Sequence, residues 1–255
     1  MDSKTAKKLQ DITNQLYEKE AESFSDTRKE IWEKEIAKFV EQIKPGNLIL
    51  DLGCGNGRLV ESLRFKVIGF KYLGIDSSKK LIKMNQDKYQ ITTSRSSGTR
   101  NDINCSVSQR ESQRVSVYFE VGDGLNLKYK DKFDYIICNA VLHHIPSEEL
   151  QIKFLKNIYS ALKPGGKILI SVWNRLQKKY WKYLISNKIK GMGIFDTLVP
   201  WKKSGEFRYI HIFRAEELKR LTQKAGLKNI KCYISRVNGK GTIFSGLQIY
   251  LEAEK

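Results

Sequence analysis

Between Asn47 and Gly57 the chain reads NLILDLGCGNG, an apolar run that meets an acid, Asp51, and then three glycines, Gly53, Gly55 and Gly57. This segment constrains the fold more than any other. An apolar run of that length closing on glycines reads as a buried strand feeding a tight loop. Glycine at every second position lets the backbone pass closely beneath a bulky ligand, where a β-carbon would collide. The spacing is G-x-G-x-G, whereas a dinucleotide turn needs its last glycine one residue later.

Further signals follow in a fixed order. Tyr72–Asp76 reads as a second strand ending in an acid, with Ser77 placed to cap the next helix. An acid after the second strand of a βαβ unit can accept hydrogen bonds from both hydroxyls of a ribose. Asp123-Gly124-Leu125 follows the apolar strand Val115–Val121, and the run from Phe133 through Asn139 to His143 and His144 reads as a strand passing into a loop. Leu162-Lys163-Pro164-Gly165-Gly166 then ends a helix and opens a fifth strand. Together these segments resemble the class I S-adenosylmethionine (SAM) methyltransferases. The resemblance implies an α/β, Rossmann-like fold, a mostly parallel seven-stranded sheet flanked by helices, with SAM as cofactor. It places Gly53, Gly55 and Gly57 under the methionine end with Asp51 beside it, and Asp76 and Ser77 at the ribose. Asp123, Gly124 and Leu125 fall at the adenine, and Tyr17 and Asn139 also join the cofactor set.

A chain of 255 residues suits one domain with appendages and can bury a sizeable core. No apolar run is long enough to span a membrane, so no membrane role is expected. The Lys- and Glu-rich N-terminus lacks an apolar signal core. Cys54, Cys105, Cys138 and Cys232 are scattered without a C-x-x-C pair, which points to reduced thiols in a cytoplasmic setting, the nucleus being a second location, and to no structural metal. Cys54 reads as a small packing residue. The formal charge of +18 favours a polyanionic partner, with nucleic acid the default. Between Arg175 and Arg214 ten Lys or Arg face two acids, Asp196 and Glu206. Trp173, Tyr180, Trp181, Tyr183, Trp201 and Tyr209 accompany them, a mixture that suits phosphate contacts and base stacking.

The organisation expected is an N-terminal helical cap over residues 1–44, with Ile31, Ile36, Phe39 and Val40 as its apolar face, and a SAM-binding domain over 45–255. Within the latter, 90–114 reads as a disordered insert rich in Ser, Thr, Asn and Arg. The segment 175–213 reads as a basic, aromatic insertion on the substrate side.

The acceptor is narrowed by exclusion. Asn139-Ala140-Val141-Leu142 stands where adenine-amino methylation uses an (N/D)-P-P-(Y/F) loop, and no proline precedes a cysteine as cytosine-C5 chemistry requires. Tyr17, Ala21, Phe24, Ser25, Thr27 and Arg28, then His143-His144, Val199-Pro200-Trp201 and the RYIHIFR run from Arg208 to Arg214, resemble the eukaryotic tRNA methyltransferases that esterify 5-carboxymethyluridine at the anticodon wobble position. Lys29-Glu30-Ile31-Trp32 departs from that family, which usually has a proline near this tryptophan. The resemblance implies a tRNA anticodon stem-loop as substrate and a small zinc-binding activator subunit that pairs along a sheet edge, here Val115–Val121. A carboxymethyl group titrates at about pH 4 and is already anionic at neutral pH, so no strong base is needed. Arg28, His144 and Arg214 are expected to hold the carboxylate or nearby phosphates, with Tyr209 and His211 shaping the pocket. Three other readings stay open: a methyltransferase acting on a small carboxylic acid or quinone, a non-catalytic RNA-binding subunit, and a methyltransferase for a different tRNA or rRNA acceptor, against which only the RYIHIFR run speaks.

Overall fold

A computed structural model of the protein describes residues 1–27, 34–64, 66–67, 69–90, 104–105, 115–174, 181–201, 204–236 and 247–255. Its frame is a sheet in which β1 (Leu48–Leu52) is flanked by β2 (Lys71–Asp76) and β5 (Phe133–Asn139). Outside β2 lies β4 (Val115–Val121), and outside β5 lies β6 (Leu162–Trp173), all of these pairings being parallel. Beyond β6, β10 (Leu247–Glu254) runs antiparallel between β6 and β9 (Lys228–Arg236). These seven strands are the mostly parallel sheet expected. An eighth, the two-residue β3 (Asn104–Cys105), pairs antiparallel with Ser116 and Val115 at the start of β4. The edge expected to take the activator subunit is therefore partly covered at its start, and the insert contributes that cover. The rest of the insert, and with it the expectation of disorder, lies outside the described residues.

Strands buried on both faces need helices on both sides. Helices α4 (Arg58–Arg64), α5 (Lys79–Gln90), α6 (Glu148–Ala161) and α8 (Ala215–Lys224) supply them, with α3 (Lys34–Val40). Strand alternation divides the core. Leu50, Leu73 and Ile75 join Phe154, Leu155 and Leu218 on one face. Ile49 and Tyr72 join Ile36, Phe39, Leu59 and Ile82 on the other. Each such aliphatic side chain, fully buried, contributes about 1.5–3 kcal/mol over its exposed state. Ile36, Phe39 and Val40 thus carry the cap's apolar face, whereas Ile31 lies outside the described residues.

Two further pieces frame the carboxyl ends of β1, β2 and β5. Helix α1 (Ser3–Lys19) starts on Asp2, whose carboxylate accepts from the Thr5 amide at 2.8 Å. It buries Ala6, Leu9, Thr13 and Leu16, spaced three and four apart along one stripe; the short α2 (Ala21–Asp26) follows. The 175–213 segment supplies α7 (Trp181–Ser186) and an antiparallel ribbon of β7 (Asp196–Pro200) with β8 (Phe207–His211). The Tyr209 amide donates to Thr13 Oγ1 at 2.9 Å, which pins β8 to α1. Among the described residues no helix is long and apolar enough to cross a membrane.

Candidate functional site

The three glycines after β1 have φ of +78° (Gly53), +55° (Gly55) and +69° (Gly57), a region in which a side chain is strained. A β-carbon on Gly53 would lie 2.2 Å from Val141 Cγ2, and one on Gly55 2.9 Å from the Phe24 ring. The loop is strapped to the end of β2: the Gly53 and Cys54 amides donate to the Ile75 carbonyl at 2.7 and 3.0 Å. The Gly55 amide donates to Asp76 Oδ2 at 2.9 Å, and the Ser78 amide to Asp76 Oδ1 at the same distance. Burial raises the Asp76 carboxyl, and these amides hold it back. Burial also pushes Asp51 up to about 7, against the Tyr72 hydroxyl that donates to it at 2.7 Å. Cys54 is buried and its thiol is pushed well up by burial, which fits packing and not nucleophilic chemistry.

Asp123 Oδ1 accepts from the Leu125 amide at 2.9 Å and Oδ2 from Gln10 Nε2 at 3.2 Å. Gly124 cannot carry a β-carbon, which would stand 2.1 Å from the Phe154 ring. Asn139 accepts from the Ser171 hydroxyl at the end of β5. One cavity of about 390 Å³ is bordered by Asp51, Gly53, Gly55, Asp76, Ser77, Asp123, Gly124 and Asn139. Gly57 and Leu125 stand behind it, Leu125 in the core. The expected helix cap shifts by one residue. Ser78, not Ser77, caps α5, its hydroxyl accepting from the Leu81 amide at 3.1 Å, because Ser77 faces α1 and contacts Asn14.

The same cavity runs on to Tyr17, His143, His144, Trp173 and Arg208. His144 lies in a short 3-10 turn, Leu142–His144, just past β5. Its Nδ1 stands 2.9 Å from the Tyr209 carbonyl, which can only accept, so Nδ1 carries the proton. In the neutral ring Nε2 then accepts from the Tyr17 hydroxyl at 2.9 Å. That hydroxyl in turn accepts from Arg208 Nη1 at 3.0 Å. The bonds run one way, from Arg208 through Tyr17 and His144 to the β8 backbone. His143 is fully buried and stacked on Trp173 at 5.0 Å, and burial pushes it well below the usual imidazole range.

Other expected acceptor-side residues lie elsewhere. Tyr209 is fully buried and donates to Asp196 Oδ1 at 2.7 Å. His211 Nδ1 is 2.6 Å from Asp196 and its Nε2 3.0 Å from Glu217. Burial alone would lower His211, but its bonds to the two carboxylates outweigh it and raise it to about 9, so it is an imidazolium. Both residues brace β8 from behind and do not border the cavity. Arg214 is exposed at the N-cap of α8, and Arg28 lies outside the described residues. Arg208, which opens the RYIHIFR run, borders the cavity, whereas the expected site residues of that run are Tyr209, His211 and Arg214. The available signal is strand alternation, which puts Arg208 on the opposite face of β8 from Tyr209 and His211.

The aromatics of 175–213 also divide. Trp201 and Tyr209 are buried and unfit to stack on an arriving base, whereas Trp181 is 47% exposed, and Lys182, Lys188 and Lys190 of the same segment are exposed too. Tyr180 lies outside the described residues.

A family model described as a methyltransferase domain matches residues 24–231. Probable tRNA methyltransferase 9B of Bos taurus is 29% identical over 205 residues, covering 80% of this chain and 36% of the bovine protein. The chain therefore spans little more than a third of that relative's length. The tRNA (carboxymethyluridine(34)-5-O)-methyltransferase of Schizosaccharomyces pombe is 26% identical over 243 residues, 85% of this chain and 88% of the other. A solved complex between the Haloferax volcanii Trm112 methyltransferase activator and a methyltransferase aligns with a TM-score of 0.61 at 14% identity, over 95% of this chain and 96% of that one. It shares the fold.

Proposed function

The chain belongs to the methyltransferase domain family, and on that premise we propose that it methylates the carboxylate of 5-carboxymethyluridine at the wobble position of a tRNA anticodon. One observation carries the reading: a single cavity joins the glycine cradle to the Arg208–Tyr17–His144 cluster. The residues present fit SAM. A ligand passing over Gly53 and Gly55 meets backbone where side chains could not stand, and the Asp76 oxygens keep lone pairs for ribose hydroxyls beyond the amides they already bind. Gly124 and Asp123 offer the corresponding edge for the adenine.

SAM held there would supply a methyl group on a sulfonium sulfur, whose transfer to a carboxylate oxygen would give the methyl ester with S-adenosylhomocysteine as the leaving group. No proton has to be removed, so the reaction asks nothing of His144 Nε2, which is already bonded to Tyr17. The protein's work is orientation and exclusion of water, and orientation alone can supply several kcal/mol.

The charge of +18 and the exposed Trp181, Lys182, Lys188 and Lys190 of one segment support an anticodon stem-loop as the macromolecular substrate. A small zinc-binding activator would take the outer edge of β4 beyond its β3 pairing, where Val121 is 51% exposed. The S. pombe relative's name and the Haloferax complex support these two assignments.

The test is a methyl-transfer assay with the activator present, on tRNA from cells lacking this protein, followed by nucleoside mass analysis. The expected product is 5-carboxymethyluridine heavier by one methyl and restored by mild alkali. Transfer to a small carboxylic acid instead, or SAM binding with no transfer to this nucleoside, would overturn the assignment.

A further inference from the structure

Arg208 is 8% exposed, and among the described residues no carboxylate pairs with it. A buried cation left without a counter-ion is costly. Part of that cost is offset by two indole rings: the guanidinium carbon lies 4.9 Å from the Trp173 ring centre and 5.1 Å from that of Trp201. The hydrogen-bonding capacity is not met in the same way. Nη1 donates to Tyr17, while Nε is buried and has no hydrogen-bond partner among the described residues. A guanidinium presents Nε and Nη2 along one edge, the geometry that grips a carboxylate with two parallel bonds. The indole rings and the Tyr17 bond fix its position, and the cavity lies beside it.

We propose that Arg208 is the carboxylate-recognising residue of this enzyme, and that it selects an anionic acceptor over its neutral amide. The proposal rests on the methyl-transfer reading above and adds to it the group that reads the charge. It replaces Arg214 in that role. Tyr17 and His144 act through Arg208 as positioning residues: the bond from Nη1 to the Tyr17 hydroxyl turns the Nε edge to one orientation, and His144 anchors Tyr17 to the backbone of the strand that carries Arg208. Arg208 draws charge from whichever oxygen it binds, so it holds the oxygen that does not attack and leaves the other free for the methyl group. The methionine end of SAM carries a carboxylate as well, so the test must separate the two sources.

The experiment uses the full chain labelled with ¹⁵N-arginine. The Nε–H resonance of Arg208, assigned by its loss in Arg208→Lys, is followed on adding 5-carboxymethyluridine, 5-carbamoylmethyluridine or SAM. Binding constants for the same three ligands are measured by calorimetry on wild type, Arg208→Lys and Arg208→Met. The acid should shift the Nε–H resonance and the amide should not. Arg208→Met should lose affinity for the acid on the order of 10- to 100-fold, the worth of a charge-assisted bond, with SAM affinity retained. Arg208→Lys, which keeps the charge but not the planar fork, should fall between them. An unmoved Nε–H with the acid-over-amide preference intact in Arg208→Met would overturn the proposal even if wild type esterifies tRNA. A loss confined to SAM would assign Arg208 to the cofactor and also overturn it. If wild type fails to esterify tRNA while Nε–H responds to the acid and not to the amide, the tRNA reading falls and the carboxylate site stands. The resonance is read on wild type, so a variant that fails to fold does not decide the outcome.

Discussion

His211→Gln is the sharpest probe of how β8 is held. His211 sits between Asp196 and Glu217, its side chain only 14% exposed, and its value rises from 6.5 to about 9. At 1.36 kcal/mol per unit that difference is worth about 3 kcal/mol to the folded state. Because the folded value is raised, the stabilisation is complete below the unfolded value near 6.5 and is lost as pH climbs through about 9. Asp196 and Glu217 are shifted the opposite way: burial opposes, and the His211 bonds and charge lower both. Their share is present above the ordinary carboxylate range and disappears in acid. The clasp is thus strongest from roughly pH 5 to 6.5, retains about 2 kcal/mol at pH 7.5 and is spent near pH 9.5. Urea unfolding of wild type and His211→Gln at pH 6, 7.5 and 9.5 measures it, since other titrations cancel in the difference. The gap should shrink by about 3 kcal/mol between the first and last pH. An equal gap at pH 6 and 9.5 would refute the ion-pair reasoning and leave His211 a neutral packing residue.

Three more substitutions follow from the geometry. Gly53→Ala forces a β-carbon to 2.2 Å from Val141 at a φ of +78°, and SAM affinity measured by calorimetry should fall at least about 10-fold, since backbone strain of this kind costs on the order of 1–3 kcal/mol; unchanged affinity would remove the glycine loop from the cofactor site. Tyr17→Phe deletes the hydroxyl between Arg208 and His144, so turnover should drop on the order of 10-fold with SAM binding kept, and a loss of SAM affinity instead would make Tyr17 a cofactor ligand. Arg214 begins α8 with a side chain that has no acceptor, while Glu217 already reaches back to its amide at 3.4 Å. Arg214→Ser should therefore complete a capping box and stabilise the fold by about 1 kcal/mol in urea unfolding; destabilisation would show that the arginine packs against something the exposed cap does not suggest.

The succession of strands along the chain, the glycine cradle and the acid after β2 could be read from the sequence because each is a local property. A left-handed φ at Gly53 and Gly55 asks for glycine wherever the residue stands, and an apolar run such as Ile168–Val172 declares a strand buried on both faces. The limits of Val115–Val121 followed for the same reason. The cap of α5 missed by one residue because two serines stand side by side and only the packing of α1 separates them. The acceptor end was beyond local reading. Alternation along β8 divides Arg208 from Tyr209 and His211, but it does not say which face looks inward. That was decided when α1 docked and the Tyr209 amide met Thr13, which turned Tyr209 and His211 towards Asp196 and Arg208 towards Tyr17. Tyr17 and Arg208 are 191 positions apart, so their bond exists only because two separate elements pack on the same sheet edge. Sequence spacing fixes what each element is; packing free energy, summed over residues distant in the chain, fixes which side chains meet.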